Sequence, residues 1–377
     1  YHPVGGLIQR DSGSFSHADC EQELSPTAKA IRGQHDIAST HGAGFLSYDN
    51  SFNEIIGRSA SLKCILKDDI PFAHEAGVYL PEQDSLFVTS NRFKTEQEDE
   101  ASILIHKLNR NSGLWTKEQV PADITMANGG INYQDGILFC AQGDQSTKGG
   151  LVLMEAEPPY KVQTLVNSYH GRRFNSVNDV VVKSDGSIWF TDPIYGSEQG
   201  FCPKPQLPNQ LYRFETETGN IRAVADGFGR PNGLCFSPDE QTLYVTDTEW
   251  IHGDGTIDDT RASSIYAFDV IQRSGADFLA NRRLFAMADT GIPDGIKCDT
   301  NGNVYSGCGD GLNVWNAGGT LIGKILVPGG VANFCFGRSG ELFLLNETKF
   351  WVAKIAPSVK GTLLEGMGID SGKHEGE

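Results

Sequence analysis

Between residues 74 and 346 the chain repeatedly runs through a short apolar stretch, a turn and a second apolar stretch. The clearest instance is SVNDVVVKSDGSIWFTDP, Ser176 to Pro193. Val180, Val181 and Val182 form a β-branched run, Ser184-Asp185-Gly186 is turn chemistry, and Ile188-Trp189-Phe190 resumes the apolar pattern, which predicts an antiparallel hairpin. Aligned on the second-strand aromatic and the turn before it, further segments fall into line from His74, Ala127, Pro231, Pro293 and Val331. Their spacing of about 50 residues predicts four strands per repeat, hence an all-β, six-bladed β-propeller of four-stranded antiparallel blades.

Third strands are legible as SILIHKL at Ser102, GLVLMEA at Gly150, QLYRFET at Gln210, SIYAFDV at Ser264 and GLNVWNA at Gly311. The fourth strands LWTKEQV, YKVQTLV, IRAVADG and LIGKILV are mixed in polarity, as an outer edge facing water would be. After the sixth hairpin, FWVAKI at Phe350 to Ile355 supplies a third strand and no convincing fourth follows. The run from Ser61 to Lys67 is therefore expected to close the ring as the outer strand of the last blade, since closure removes open edges. Residues 1–51, without periodicity, read as an N-terminal extension packed on the domain, 52–357 as the propeller and 358–377 as a C-terminal tail.

The position at the start of each hairpin is Glu75, Asn128, Asn178, Asn232, Asp294 and Ala332. Taken singly, Asn-Asp, Asn-Gly and Asp-Gly are ordinary turn dipeptides. In register, five carboxylates or carboxamides would meet at one axis, and such oxygen donors without His or Cys select a hard cation, Ca²⁺ before other divalent ions. A second polar register, Ser90, Gln142, Asp192, Asp247, Cys308 and Asn346, is expected to support those side chains or the loop backbones. Two long connections on the same face, Pro193 to Asn209 and Glu249 to Arg261, are expected to wall a pocket.

Composition narrows the partners. A hydrophobic share of 39% with 44 Gly and 16 Pro fits a turn-rich globular protein, and a net charge of −17 argues against nucleic acid or an anionic membrane surface. No apolar run approaches the roughly 20 residues needed to span a bilayer. Numbering that opens on Tyr1 suggests a mature or trimmed chain, secreted or otherwise extracytoplasmic, with the cytoplasm as the alternative. Of eight cysteines, Cys140, Cys235, Cys298 and Cys335 fall in strands and read as buried thiols, whereas Cys20, Cys64, Cys202 and Cys308 are the candidates for disulfides. One sequon, Asn346-Glu347-Thr348, lies at a strand end where burial competes with glycosylation.

The phrases NDVVVKSDGSIWFTDP, RPNGLCFSPDEQTLYVTDT and PDGIKCDTNGNVY resemble the gluconolactonase, regucalcin and luciferin-regenerating family of calcium-dependent propellers. The long insertions and the extension make the chain most similar to the fungal lactonohydrolase branch, which opens aldonolactones and pantoyl lactone. The resemblance implies that one axial ion is held by Glu75, Asn178, Asn232 and Asp294, with Asn128 a possible substrate or water contact. It implies a hydrolase in which the ion polarises a lactone carbonyl and Asp294 assists the attacking water. Two alternatives remain, a calcium-dependent phosphotriesterase similar to diisopropylfluorophosphatase and a non-catalytic calcium-binding propeller.

Further candidates lie on the same face. His252, in a long loop, is a candidate acid or substrate contact, and Arg172, Arg173 and Tyr195 are candidates for recognising substrate hydroxyls. His74 precedes Glu75, and strand alternation would point it away from the axis, in a packing or supporting role.

Overall fold

The computed structural model describes residues 14–16, 42–94 and 101–368. They form a six-bladed β-propeller. Blade 1 is Glu75–Leu80, Ser85–Thr89, Ile105–Asn111 and Leu114–Val120, and blade 2 is Ala127–Tyr133, Gly136–Gly143, Lys148–Glu155 and Val162–Val166. Blade 3 is Val180–Val182, Ile188–Asp192, Gln210–Phe214 and Ile221–Ala225. Blade 4 is Pro231–Phe236, Thr242–Asp247, Ser264–Arg273 and Ala276–Met287. The core of blade 5 is Ile296–Cys298, Val304–Cys308, Gly311–Trp315 and Leu321–Leu326. Blade 6 is Asn333–Phe336, Glu341–Asn346 and Lys349–Lys354, completed by Ser61–Lys67 from the N-terminal side. That last pairing is the ring closure expected from the sequence.

In blade 3 the local causes are plain. Val180 pairs with Phe190, Gly186 takes the positive φ of the turn, and Asp185 Oδ1 accepts the Ser187 amide at 2.9 Å. The inward face then packs on neighbouring blades: Trp189 is fully buried and stands edge-on to Phe236 of blade 4, with ring centroids 5.5 Å apart. Buried side chains of this size contribute roughly 2 kcal/mol each, so the core lies between blades and holds them face to face. At the seam between blades 6 and 1, Arg110 pairs with both Asp84 and Glu341 at 2.7 Å and lies over the Trp115 ring.

Two features depart from expectation. The fourth strand of blade 4, Ala276–Met287, is half exposed and rich in polar residues, so no apolar pattern marks it. The described part of the extension also does more than pack on the domain. Gly44–Ser47 pairs with Leu321–Leu326, and Ser14–Ser16 pairs with Gly44–Ser47, giving blade 5 six strands.

The reason is that LIGKILV does not face water. Lys324 is fully buried, with Nζ 2.6 Å from Asp289 and 2.7 Å from Asp310. A charge buried in this way is tolerable only when paired and covered.

Candidate active site and metal centre

The ring positions lie at the inner ends of the first strands, where the ladder is irregular. Register shifts occur between Ala76 and Val78, Ala127 and Gly130, and Pro231 and Leu234. Bulges of this kind re-aim side chains and are common beside active sites. The glycines of the PNG and PDG phrases have a steric reason. A Cβ on Gly233 would meet the Asp294 carbonyl at 2.5 Å, and one on Gly295 would meet Asn333 Oδ1 at 2.2 Å. Small residues therefore let consecutive blades close up around the axis.

Glu75, Asn128, Asn178 and Asn232 are buried, and the half-buried Asp294 has a buried Oδ1. Asn128 Nδ2 donates to the Asn178 carbonyl at 3.1 Å, and the Asn232 side chain lies beside both Asp294 and the Tyr195 hydroxyl. Ala332 does leave the sixth position without a polar group, but the adjacent Asn333 fills in: its Nδ2 donates to Glu75 Oε2 at 2.7 Å. Asp179, next to Asn178, is also buried and accepts the Val180 amide at 2.9 Å.

A girdle of second-strand hydroxyls fixes this ring from behind. Thr89 Oγ1 donates to the Asn128 carbonyl at 3.0 Å, Thr191 Oγ1 to that of Asn232 at 2.7 Å, and Thr246 Oγ1 to that of Asp294 at 3.1 Å. Blades 1, 3 and 4 thus each pin the ring residue of the next blade. The signal in the sequence is the recurring Thr just before the second polar register, in FVTS, FTDP and VTDT.

Most of that second register supports loop backbone. Asp192 accepts the amides of Asn175 and Ser176, both at 2.9 Å, and Asp247 accepts those of Gly229 and Arg230 at 3.0 and 2.8 Å. Ser90 Oγ accepts the Leu104 amide at 2.9 Å. Asn346 is buried and its Nδ2 donates to the Gly330 carbonyl at 2.5 Å, which leaves that nitrogen engaged inside the fold rather than open to glycosylation.

The electrostatics of the ring are those of acids held close together out of water. Burial pushes the Glu75 carboxyl well above its ordinary range, Asp294 pushes it further, and His74 opposes both. Burial likewise raises Asp294 to about 6, against the pull of His74. Two buried oxygens, Asn178 Oδ1 and Asp294 Oδ1, have no hydrogen-bond partner among the described residues. Orphaned acceptors beside crowded carboxylates fit a hard cation, which would satisfy the lone pairs and neutralise the charge. Among the described residues no three His, Cys, Asp or Glu side chains converge into a metal cluster, so an ion here would rest on the amide oxygens of Asn178 and Asn232 as much as on Glu75 and Asp294.

His74 lies differently from what strand alternation implies. Its Nδ1 is 2.7 Å from Glu347 Oε1, and it faces Glu75 and Asp294 closely enough to be their electrostatic counterpart. Burial alone would lower its pKa, but Glu347, with Glu75 and Asp294 behind it, holds it at about 10. Period-two alternation fails here because His74 precedes the paired strand and Ala76 has a φ of 67°.

The two long connections meet at Arg230. Its guanidinium takes Glu198 of the first loop in a bidentate pair, with Nε to Oε2 at 2.9 Å. From the second loop it contacts the Glu249 carbonyl at 3.3 Å and His252 Nδ1 at 2.8 Å. Glu198 Oε2 also accepts the Gly253 amide at 2.8 Å. An arginine can only donate, so in this contact His252 Nδ1 is the acceptor and Nε2 is left to carry the ring proton. Tyr195, on the short helix Tyr195–Glu198, bonds Thr248 beside Asn232, and burial pushes its hydroxyl upward in pKa.

The Arg173 side chain is engaged by backbone: its Nη2 bonds the carbonyls of Asp144 and Thr147, the latter at 2.7 Å, bracing the connection between the second and third strands of blade 2. Arg172 lies over the Tyr169 ring. Cys140, Cys202, Cys235, Cys298, Cys308 and Cys335 form no disulfide among the described residues, and Cys20 lies outside them. The expected bridges of Cys202 and Cys308 are therefore not formed among these residues. The closest thiols, Cys235 and Cys298 at 3.6 Å, come from the strand set.

Comparison with known proteins agrees with this architecture. Residues 101–345 match the family model described as the SMP-30/gluconolactonase/LRE-like region. Lactonohydrolase oryL of Aspergillus oryzae is 32% identical over 77% of this chain and 69% of its own length. The gluconolactonase of Zymomonas mobilis is 29% identical over 56% of this chain and 58% of its own.

Among solved structures, XC5397 from Xanthomonas campestris, described as a gluconolactonase, superposes with a TM-score of 0.64 at 26% identity, covering 81% of this chain and 93% of that one. A calcium-binding regucalcin from Agrobacterium tumefaciens superposes at 0.57 with 18% identity over 80% and 95% of the two chains, a likeness that speaks to fold alone. With six blades, an axial ring of oxygen donors and a family match over most of the propeller, the chain belongs to the SMP-30/gluconolactonase/LRE-like family.

Proposed function

We propose that this protein is a calcium-dependent lactonase that opens small sugar-type lactones, aldonolactones and pantoyl lactone among them. The observation that carries the reading is a pair of buried oxygens without partners among the described residues, Asn178 Oδ1 and Asp294 Oδ1, in a ring that also holds Glu75 and Asn232. The names of the relatives, lactonohydrolase and gluconolactonase, support the substrate class.

In this reading Glu75, Asn178, Asn232 and Asp294 hold the ion, which when bound supplies Lewis-acid polarisation of the lactone carbonyl. Asp294 takes the proton from the attacking water, and its half-exposed position leaves it accessible from the mouth. His74, held by Glu347, sets the field at both ring acids, and Asn333 fixes the Glu75 carboxylate. Tyr195 and the Nε2–H of His252 present donors toward substrate oxygens from the loop side, while Asn128 orders the ring backbone.

The test is hydrolysis of a lactone panel followed by proton release, with and without EDTA. Chelator-sensitive opening of at least one aldonolactone or pantoyl lactone is expected. Turnover of phosphofluoridates alone, or of nothing, would refute the lactonase reading.

A further inference from the structure

The six first strands that carry the ring at one end surround a separate chamber of about 940 Å³ at the other. All six blades contribute to its wall, from Tyr79 in blade 1 to Phe336 in blade 6, and Leu363 of the C-terminal helix Thr362–Gly366 closes one side. Its size falls within the range of small-molecule sites, roughly 300–1,000 Å³, and its lining is mainly apolar, with Val181 and Leu234 beside the aromatic rings.

Charge at this end is unevenly matched. The acids at the rim are engaged: Asp239 accepts the Ser237 hydroxyl at 2.6 Å, Glu240 accepts the Ser184 amide at 2.7 Å, and Glu365 takes Lys360 at 3.2 Å. Lys297 is not so engaged. Half-buried in the wall, its ammonium makes no ion pair within 4.0 Å among the described residues; it reaches the Ile296 carbonyl at 3.5 Å and lies 5.9 Å from the centre of the Phe334 ring. Asp179 feels Lys297 through space, but its oxygens accept the amides of Val180 and Leu234, at 2.9 and 3.4 Å. The other lysine of the lining, Lys183, is paired with Asp185 at 3.6 Å and Asp277 at 3.2 Å, so in a protein of net charge −17 the ammonium of Lys297 is the cation left to an incoming anion.

We propose that the chamber is a second binding site, for a small carboxylate with an apolar body, the carboxylate seated on Lys297 and the body among Val181, Leu234, Phe336 and Leu363. It stands apart from the oxygen ring and does not depend on the lactonase reading.

Calorimetric titration of the full-length chain with decanoate, decanol and decyltrimethylammonium tests it. Decanoate is expected to bind once per chain and about tenfold or more tighter than decanol, with the cation weakest. Lys297→Met should erase the preference for decanoate over decanol, and Lys297→Arg should keep it. No decanoate binding, decanol binding as tightly as decanoate, or an unchanged preference in Lys297→Met would each overturn the proposal. The wild-type ratio alone decides the matter if the Met variant fails to fold.

Discussion

The two ends of the propeller axis are built from the same six strands and are chemically opposite. At one end Glu75, Asn178, Asn232 and Asp294 crowd oxygen atoms together, two of them without partners, and hydroxyls from Thr89, Thr191 and Thr246 pin the backbone that carries this ring. At the other end, two to four residues further along each strand, Leu234, Cys235, Cys298 and Cys335 line an apolar chamber in which Lys297 has no ion pair among the described residues. A propeller strand therefore specifies two environments at once, and the bulges at Ala76–Val78 and Pro231–Leu234 separate them by breaking the period-two pattern between the ends. The oxygen end favours a hard cation and polar substrate, the apolar end a ligand that water would reject.

The largest effect expected from breaking this contrast is at Asp294. Asp294→Asn keeps the shape and one oxygen but removes the base, so kcat should fall by about 10²–10⁴-fold while bound metal is largely retained. Steady-state rates on the best lactone, with metal content by elemental analysis, check it; wild-type turnover would show that another group takes the proton.

Next comes the latch over the oxygen end. Arg230→Ala frees both long loops, leaving Glu198 and His252 without their shared partner. The expected result is a KM raised by about tenfold with kcat changed far less, corresponding to roughly 1.4 kcal/mol of lost positioning. An equal fall in kcat with KM constant would instead place Arg230 in the chemistry.

The smallest effect belongs to the other end. Leu363→Ala trims the chamber wall and should lower stability by about 1–2 kcal/mol, less than a fully buried leucine would, because Leu363 is only partly buried. Lactone turnover by this variant should stay within about twofold of wild type. A large loss of activity would mean that the two ends are coupled.

How much of this the sequence shows follows from what repeats. The hairpins and the ring positions recur in register, so Glu75, Asn178, Asn232 and Asp294 stand out against the alternation. Ring closure by Ser61–Lys67 follows from counting strands, because the last blade lacks one. Asn333 is hidden because it lies one residue beyond the aligned Ala332, and only the fold shows its amide reaching Glu75. His74 is misplaced by alternation because that rule holds inside a paired strand, not at its irregular start.

The strands added to blade 5 are unforeseen because Lys324 in LIGKILV looks solvent-facing until Asp289 and Asp310 are seen around it. The lower chamber leaves no local signal at all, since Val181, Leu234 and Phe336 look like any core residues. Its existence depends on how six strands diverge, which is a property of the closed ring.

The central claim is that the oxygen end is a hard-cation site, and calcium titration of chelator-stripped protein, wild type beside Glu75→Gln, tests it most directly. Wild-type protein should take up one Ca²⁺ per chain and gain thermal stability as it does so, while Glu75→Gln, with half of the carboxylate charge gone, should bind at least about tenfold more weakly. Wild-type protein that takes up no calcium, or a Glu75→Gln variant that binds it equally well, would contradict the account.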